Sequence, residues 1–183
     1  MRSRLLCLPF LVAMSVPAQE RAFPEGWAGE WRGTLTTVAP PDSVRNRIPL
    51  TLTIARDPGR DAWVWRTVFN ADTVRGLRDY RLLVRDAARG LYATDEGNGV
   101  VLEDTYVGGS LVSVFQVGTQ RLESRYTLHA DTLTHDIIFW SATPTTTVRG
   151  SGANAEGGVE IHTHRILGRQ RAVLTRVAAP TPR

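Results

Sequence analysis

Ile48-Pro49-Leu50-Thr51-Leu52-Thr53-Ile54 alternates apolar and polar side chains, with Ile48, Leu50, Leu52 and Ile54 on one face. A period of two marks a half-buried strand, because successive side chains of an extended chain point to opposite sides. Pro49 has no N–H to donate, so it belongs near the start or edge of its strand. Asp57-Pro58-Gly59-Arg60-Asp61 then reads as a strong turn, and Trp63-Val64-Trp65-Arg66-Thr67-Val68-Phe69 resumes the alternation.

The same beat extends in both directions. Strands are predicted over residues 31–38, 80–84, 90–94, 100–106, 111–117, 121–128, 133–140, 159–166 and 171–177. Asp95-Glu96-Gly97-Asn98-Gly99, Gly108-Gly109 and Ala130-Asp131 supply turns, and residues 74–78 have room for one helical turn. Spacings of about 10 residues suit an all-β, antiparallel up-and-down barrel of about eight to ten strands, whose closure leaves no exposed edge. Two stretches fall outside the pattern and are expected to be loops at the mouth. They are residues 39–46, containing Pro40-Pro41, and residues 143–158, rich in Thr, Gly, Ser and Ala.

At 183 residues, with 42% hydrophobic and 22% charged, the chain can bury one domain's core and is too apolar for a disordered one. The first residues, Met1-Arg2-Ser3-Arg4, are basic, an apolar run reaches Val16, and Ala18 offers a small residue for cleavage. This is the pattern of a secretory signal over residues 1–18, which places the mature protein in the periplasm or outside the cell. A single barrel domain over 19–177 and a disordered tail over 178–183 complete the expected organisation. The lone Cys7 would leave with the signal, removing disulfide, thiol and thiolate chemistry. No transmembrane segment is expected after cleavage. All 22 basic residues are arginine and are scattered rather than blocked, which argues against a nucleic-acid partner.

The first strand reads Gly26-Trp27-Ala28-Gly29-Glu30-Trp31-Arg32-Gly33 at its opening. Its Gly29-Glu30-Trp31, ahead of meandering strands, resembles the Gly-x-Trp opening of the calycin group, which comprises lipocalins, fatty-acid-binding-like barrels and small bacterial lipocalin-like proteins. The resemblance implies that Trp31 packs across the closed end of the barrel. It also implies that an arginine of the last strand, Arg176 or else Arg171, covers the indole. The later Thr-Asp-Tyr motif of lipocalins is absent; Asp104-Thr105-Tyr106 has the wrong order. Gly29, Trp31 and Gly33 also match the opening of nitrobindin-like haem barrels, which would make His162 or His164 the nearest offer of a proximal ligand.

Candidate site residues follow from the strand faces. Trp63 and Trp65 share one face, and if it points inward they line a cavity with Phe69, Phe115, Tyr126 and Phe139. Arg66 and Arg125 alternate with apolar residues and, turned inward, would orient an anionic head group. His162 and His164, two apart on a strand, point to one side and could share a metal ion, although two ligands do not make a site. A solvent-facing row of Glu160, His162 and His164 is the simpler account. Asp95 and Glu96 sit among glycines, as in an acid–base pair or a calcium loop, but a tight hairpin uses the same residues. No nucleophile elbow, zinc-protease helix or phosphate loop is present.

The sequence therefore predicts an exported barrel that encloses a small apolar or amphipathic ligand, without catalysis and without a cofactor. Two other readings remain. One is a solid barrel acting through its outer surface or loops on a protein or envelope component. The other is a metal- or haem-dependent protein built on His162 and His164.

Overall fold

The computed structural model describes residues 22–150 and 159–178; the expected signal segment and most of the C-terminal tail lie outside these. Ten antiparallel strands close into a barrel: β1 (Gly29–Ala39), β2 (Ser43–Arg56), β3 (Ala62–Phe69), β4 (Leu77–Asp86), β5 (Leu91–Asp95), β6 (Val101–Val107), β7 (Ser110–Val117), β8 (Gln120–His129), β9 (Thr132–Ser141) and, after an excursion, β12 (Ile166–Arg176). Each pairs with its neighbours in chain order, and β12 closes the ring between β9 and β1. The excursion carries β10 (Thr146–Arg149) and β11 (Glu160–Thr163), which pair only with each other.

The inward row of β2 is the one that the alternation marks, with Leu50, Leu52 and Ile54 buried. It meets Trp31 and Gly33 of β1 on one side and Trp65 and Phe69 of β3 on the other. Burying each such aliphatic side chain contributes about 1.5–3 kcal/mol.

Several boundaries differ from the sequence reading. The expected loop over 39–46 shrinks to residues 40–42, because β1 and β2 continue their ladder outward as far as Ala39 and Ser43. Residues 74–76 form a turn rather than a helical turn, closed by Asp72, whose carboxylate accepts the N–H groups of Val74 and Arg75. The short helical pieces are 3-10 turns at Glu25–Trp27 and Ala87–Arg89. The last strand begins at Ile166 rather than Arg171, and the strand expected over 159–166 ends at Thr163 in the side ribbon.

One end of the barrel is closed. The 3-10 turn brings Trp27 under the floor, where its carbonyl accepts the Trp31 indole N–H at 3.0 Å. Phe23 stacks on Tyr106 at 4.4 Å and meets Trp27 edge-on at 4.8 Å. Arg176 lies over Trp31, its guanidinium carbon 4.1 Å from the ring centroid, and it donates to the carbonyls of Ala28 and Gly26. The flanking glycines make this approach feasible. Gly29 adopts φ +140°, and a Cβ on Gly33 would lie 2.0 Å from the Val173 carbonyl oxygen of β12. At the other end sit the β1–β2, β3–β4, β5–β6 and β7–β8 turns and the excursion between β9 and β12.

The outer face explains the arginines. Arg66 forms a two-toothed pair with Asp79 at 2.9 and 3.1 Å, Arg81 joins Asp57 and Asp79, and Arg169 holds Asp136. Hydrogen bonding from Arg66, then from Arg81, holds the Asp79 carboxyl below its ordinary range. Such exposed pairs contribute at most about 1 kcal/mol each.

Candidate ligand cavity

The inward rows of β3 to β9 do not fill the open half of the barrel. They leave a cavity of about 220 Å³. Trp65, Phe69, Phe115 and Tyr126 form much of its wall, and Leu102, Leu111 and Ile137 add aliphatic surface. Trp65 and Tyr126 meet edge-on, with centroids 5.2 Å apart.

Its deeper wall is polar. Asp104 of β6 points inward between Thr94 of β5 and Ser113 of β7, and only 2% of it is exposed. Thr94 Oγ1 donates to Asp104 Oδ2 at 2.7 Å, and Ser113 Oγ donates to Oδ1. Burial pushes the Asp104 carboxyl above its ordinary range, against these two hydrogen bonds. Across the barrel His135 of β9 stacks flat on Tyr126, with centroids 3.8 Å apart and planes 8° apart. Its Nε2 lies 3.0 Å from Ser124 Oγ.

The Ser124–His135 contact has the outline of a nucleophile and its base. Burial pulls the imidazole down to about 3, so it is a feeble base at neutral pH. Burial raises the Tyr126 phenol pKa above the ordinary value, although Trp65 and Thr67 hydrogen-bond to it.

The sequence-predicted aromatics divide. Trp65, Phe69, Phe115 and Tyr126 come together around the cavity. Trp63 faces inward but belongs to the packed core, one step nearer the floor. Phe139 lies against Gly168, where a Cβ would meet its ring at 2.4 Å, and does not reach the cavity. The arginine assignment is corrected by register. Arg66 sits between inward Trp65 and Thr67 and therefore points out to Asp79, while Arg125 points out to Glu123 at 2.7 Å. The arginine at the mouth is Arg78, opposite Thr67, whose guanidinium lies 5.9 Å from the Phe69 ring centroid.

The histidine pair is also separated. His162 on the side ribbon bonds Thr147 through Nδ1 and Glu160 through Nε2, at 2.9 and 3.1 Å. His164 lies beyond β11, and its Nδ1 is 2.9 Å from the carbonyl oxygen of Ser141. Among the described residues no three histidine, cysteine, aspartate or glutamate side chains form a metal site.

Asp104 and His135 are the interior groups that residue spacing left unmarked. Their signal is a polar residue inside an otherwise apolar row: Leu102-x-Asp104-x-Tyr106 and Leu133-x-His135-x-Ile137.

No protein-family model and no curated protein matches the chain. Among solved structures, the chain is similar to the crystal structure of a protein of unknown function from the DUF3598 family of Nostoc punctiforme. The TM-score is 0.56 at 14% identity, over 82% of this chain and 47% of that one. The barrel is calycin-like. At this identity the likeness shows the fold alone, and the chain spans about half the length of the protein it matches.

Proposed function

We propose that this protein is an exported binding protein of the lipocalin-like type, which encloses a small ligand with an apolar body and a polar end. The observation that carries the reading is the 220 Å³ cavity, aromatic over much of its wall and polar at depth. Trp27, Trp31 and Arg176 close the floor, and Arg78 and Glu96 line the cavity toward the opposite end. Rigid aromatic walls give contact area at small entropic cost, and a few polar groups fix orientation, which is the usual economy of small-molecule sites. Export is supported by the basic Met1–Arg4 segment and the apolar run behind it.

Mass measurement of the mature protein, taken from its native compartment under native and then denaturing conditions, tests the proposal. A discrete excess mass that disappears on denaturation is expected. Protein mass alone, together with no saturable uptake of the neutral probe N-phenyl-1-naphthylamine, contradicts it.

A further inference from the structure

We propose that the ligand carries a protonated amine, seated on the Asp104 carboxylate, at the end of an apolar or aromatic body. This rests on the cavity reading above and names the class of molecule the cavity selects. An ionised carboxylate offers about four acceptor positions. At Asp104 one hydroxyl occupies each oxygen, Thr94 on Oδ2 and Ser113 on Oδ1, so acceptor capacity remains on a side chain that lines the cavity.

The countercharge is what is missing. Among the described residues every arginine ion pair runs to another carboxylate, those of Arg66, Arg81, Arg125 and Arg169 going to Asp79, Asp57, Glu123 and Asp136. His135, the basic ring in the same wall, is held neutral by its burial. Arg78 stands at the rim, donating to the main-chain carbonyls of Arg75 and Leu77, and Glu96 shares that rim. The rim charges offset one another, while the deep end holds one negative group.

A buried charge without a partner is costly, and a hydrogen-bonded ion pair removes most of that cost. An ammonium group brings three donors and the opposite sign. Trp65, Tyr126 and Phe115 line the same cavity, and an aromatic face draws a cation and repels an anion. A ligand carboxylate would instead meet Asp104 as a like charge.

Octylamine, octanol and octanoate form a matched set of probes, titrated by tryptophan fluorescence or calorimetry at neutral pH. Octylamine is expected to bind tightest, by about tenfold or more over octanol, because only the ammonium brings the opposite charge to the carboxylate. Asp104→Asn is expected to erase that advantage. Should Asp104→Asn fail to fold, Thr94→Val serves in its place. It removes one hydroxyl and leaves the carboxylate, so the preference for the amine must persist. Tightest binding of octanol or octanoate, or an amine preference that survives Asp104→Asn, overturns the assignment of the head group and leaves the cavity reading standing. No saturable binding of any of the three overturns both.

Discussion

The Arg176 guanidinium of the last strand lies 4.1 Å from the centre of the Trp31 ring of the first, so the two strands that close the barrel meet in one contact. The pair stands where β1 and β12 close the ring, Trp31 opposite Arg176 in the ladder. Trp31 has no exposed surface, and its truncation to alanine is expected to cost about 3–5 kcal/mol. Arg176→Met keeps most of the stem but loses the ring contact and the bonds to Ala28 and Gly26, for an expected loss of about 1–3 kcal/mol. Urea unfolding followed by fluorescence measures both, and an unchanged slope against urea marks a pure stability effect.

The glycines around Trp31 make a second, steric prediction. Gly33→Ala places a methyl 2.0 Å from the Val173 carbonyl oxygen and must push β12 away from β1, at a cost of at least about 1–3 kcal/mol. Gly59→Ala meets nothing nearer than Asp57 Oδ1 at 3.7 Å and should fall within about 0.5 kcal/mol of the parent. Paired unfolding curves of the two variants give the comparison.

The buried imidazole predicts an acid limb of a particular kind. Burial lowers the His135 pKa from 6.5 to about 3 in the folded state, whereas the unfolded chain protonates near 6.5. Below that pH the unfolded state binds the extra proton, so stability is fully present above 6.5 and is lost as pH falls toward 3, by up to about 1.4 kcal/mol per unit. Asp104 works in the opposite sense. Its raised folded value gives stability that is present below 3.8 and is lost as pH rises through the folded value. His135→Phe keeps the stack on Tyr126 and should flatten the stability curve between about pH 6 and 5, above the range in which ordinary carboxylates titrate. An unaltered slope in that window would show that the imidazole already carries its proton in the folded state.

Register predicts which arginines are spectators. Arg66→Ala and Arg125→Ala remove outward pairs, so each is expected to change stability by less than about 1 kcal/mol and to leave probe binding unaltered. Trp65→Phe, by contrast, should suppress most of the ligand-induced change in tryptophan emission, because Trp65 is the tryptophan in the cavity wall.

That contrast also marks how far the sequence could be read. Period-two alternation in residues 48–54 and 63–69 was enough to expose the strands, their antiparallel order and a closed barrel, since each strand buries one face only. Gly29, Trp31 and Gly33 marked the closing end, where close backbone approach and a large ring leave a local trace in sequence. Register was not legible for the arginines. Arg66 follows Trp65 and Arg78 follows Leu77, and only the fixed pairing of β3 with β4 turns the first outward and brings the second to the mouth. Asp104 escaped notice because Glu103-Asp104 looks like solvent-facing charge until the inward Leu102 and Tyr106 reveal its row. The boundaries at 39–46 and 159–166 misread for a related reason. Ladder hydrogen bonds from a partner strand extend polar segments such as Ser43–Arg47, whose own pattern gives no hint of it.

The central claim is that a small molecule binds inside the barrel rather than on its surface. Titration of N-phenyl-1-naphthylamine into the parent protein and into Leu102→Trp, which puts an indole into the cavity from β6, tests it most directly. The account predicts saturable enhancement with one probe per chain in the parent, and a loss of affinity of about tenfold or more in the filled variant. Binding of equal strength in both, or none in either, would contradict it.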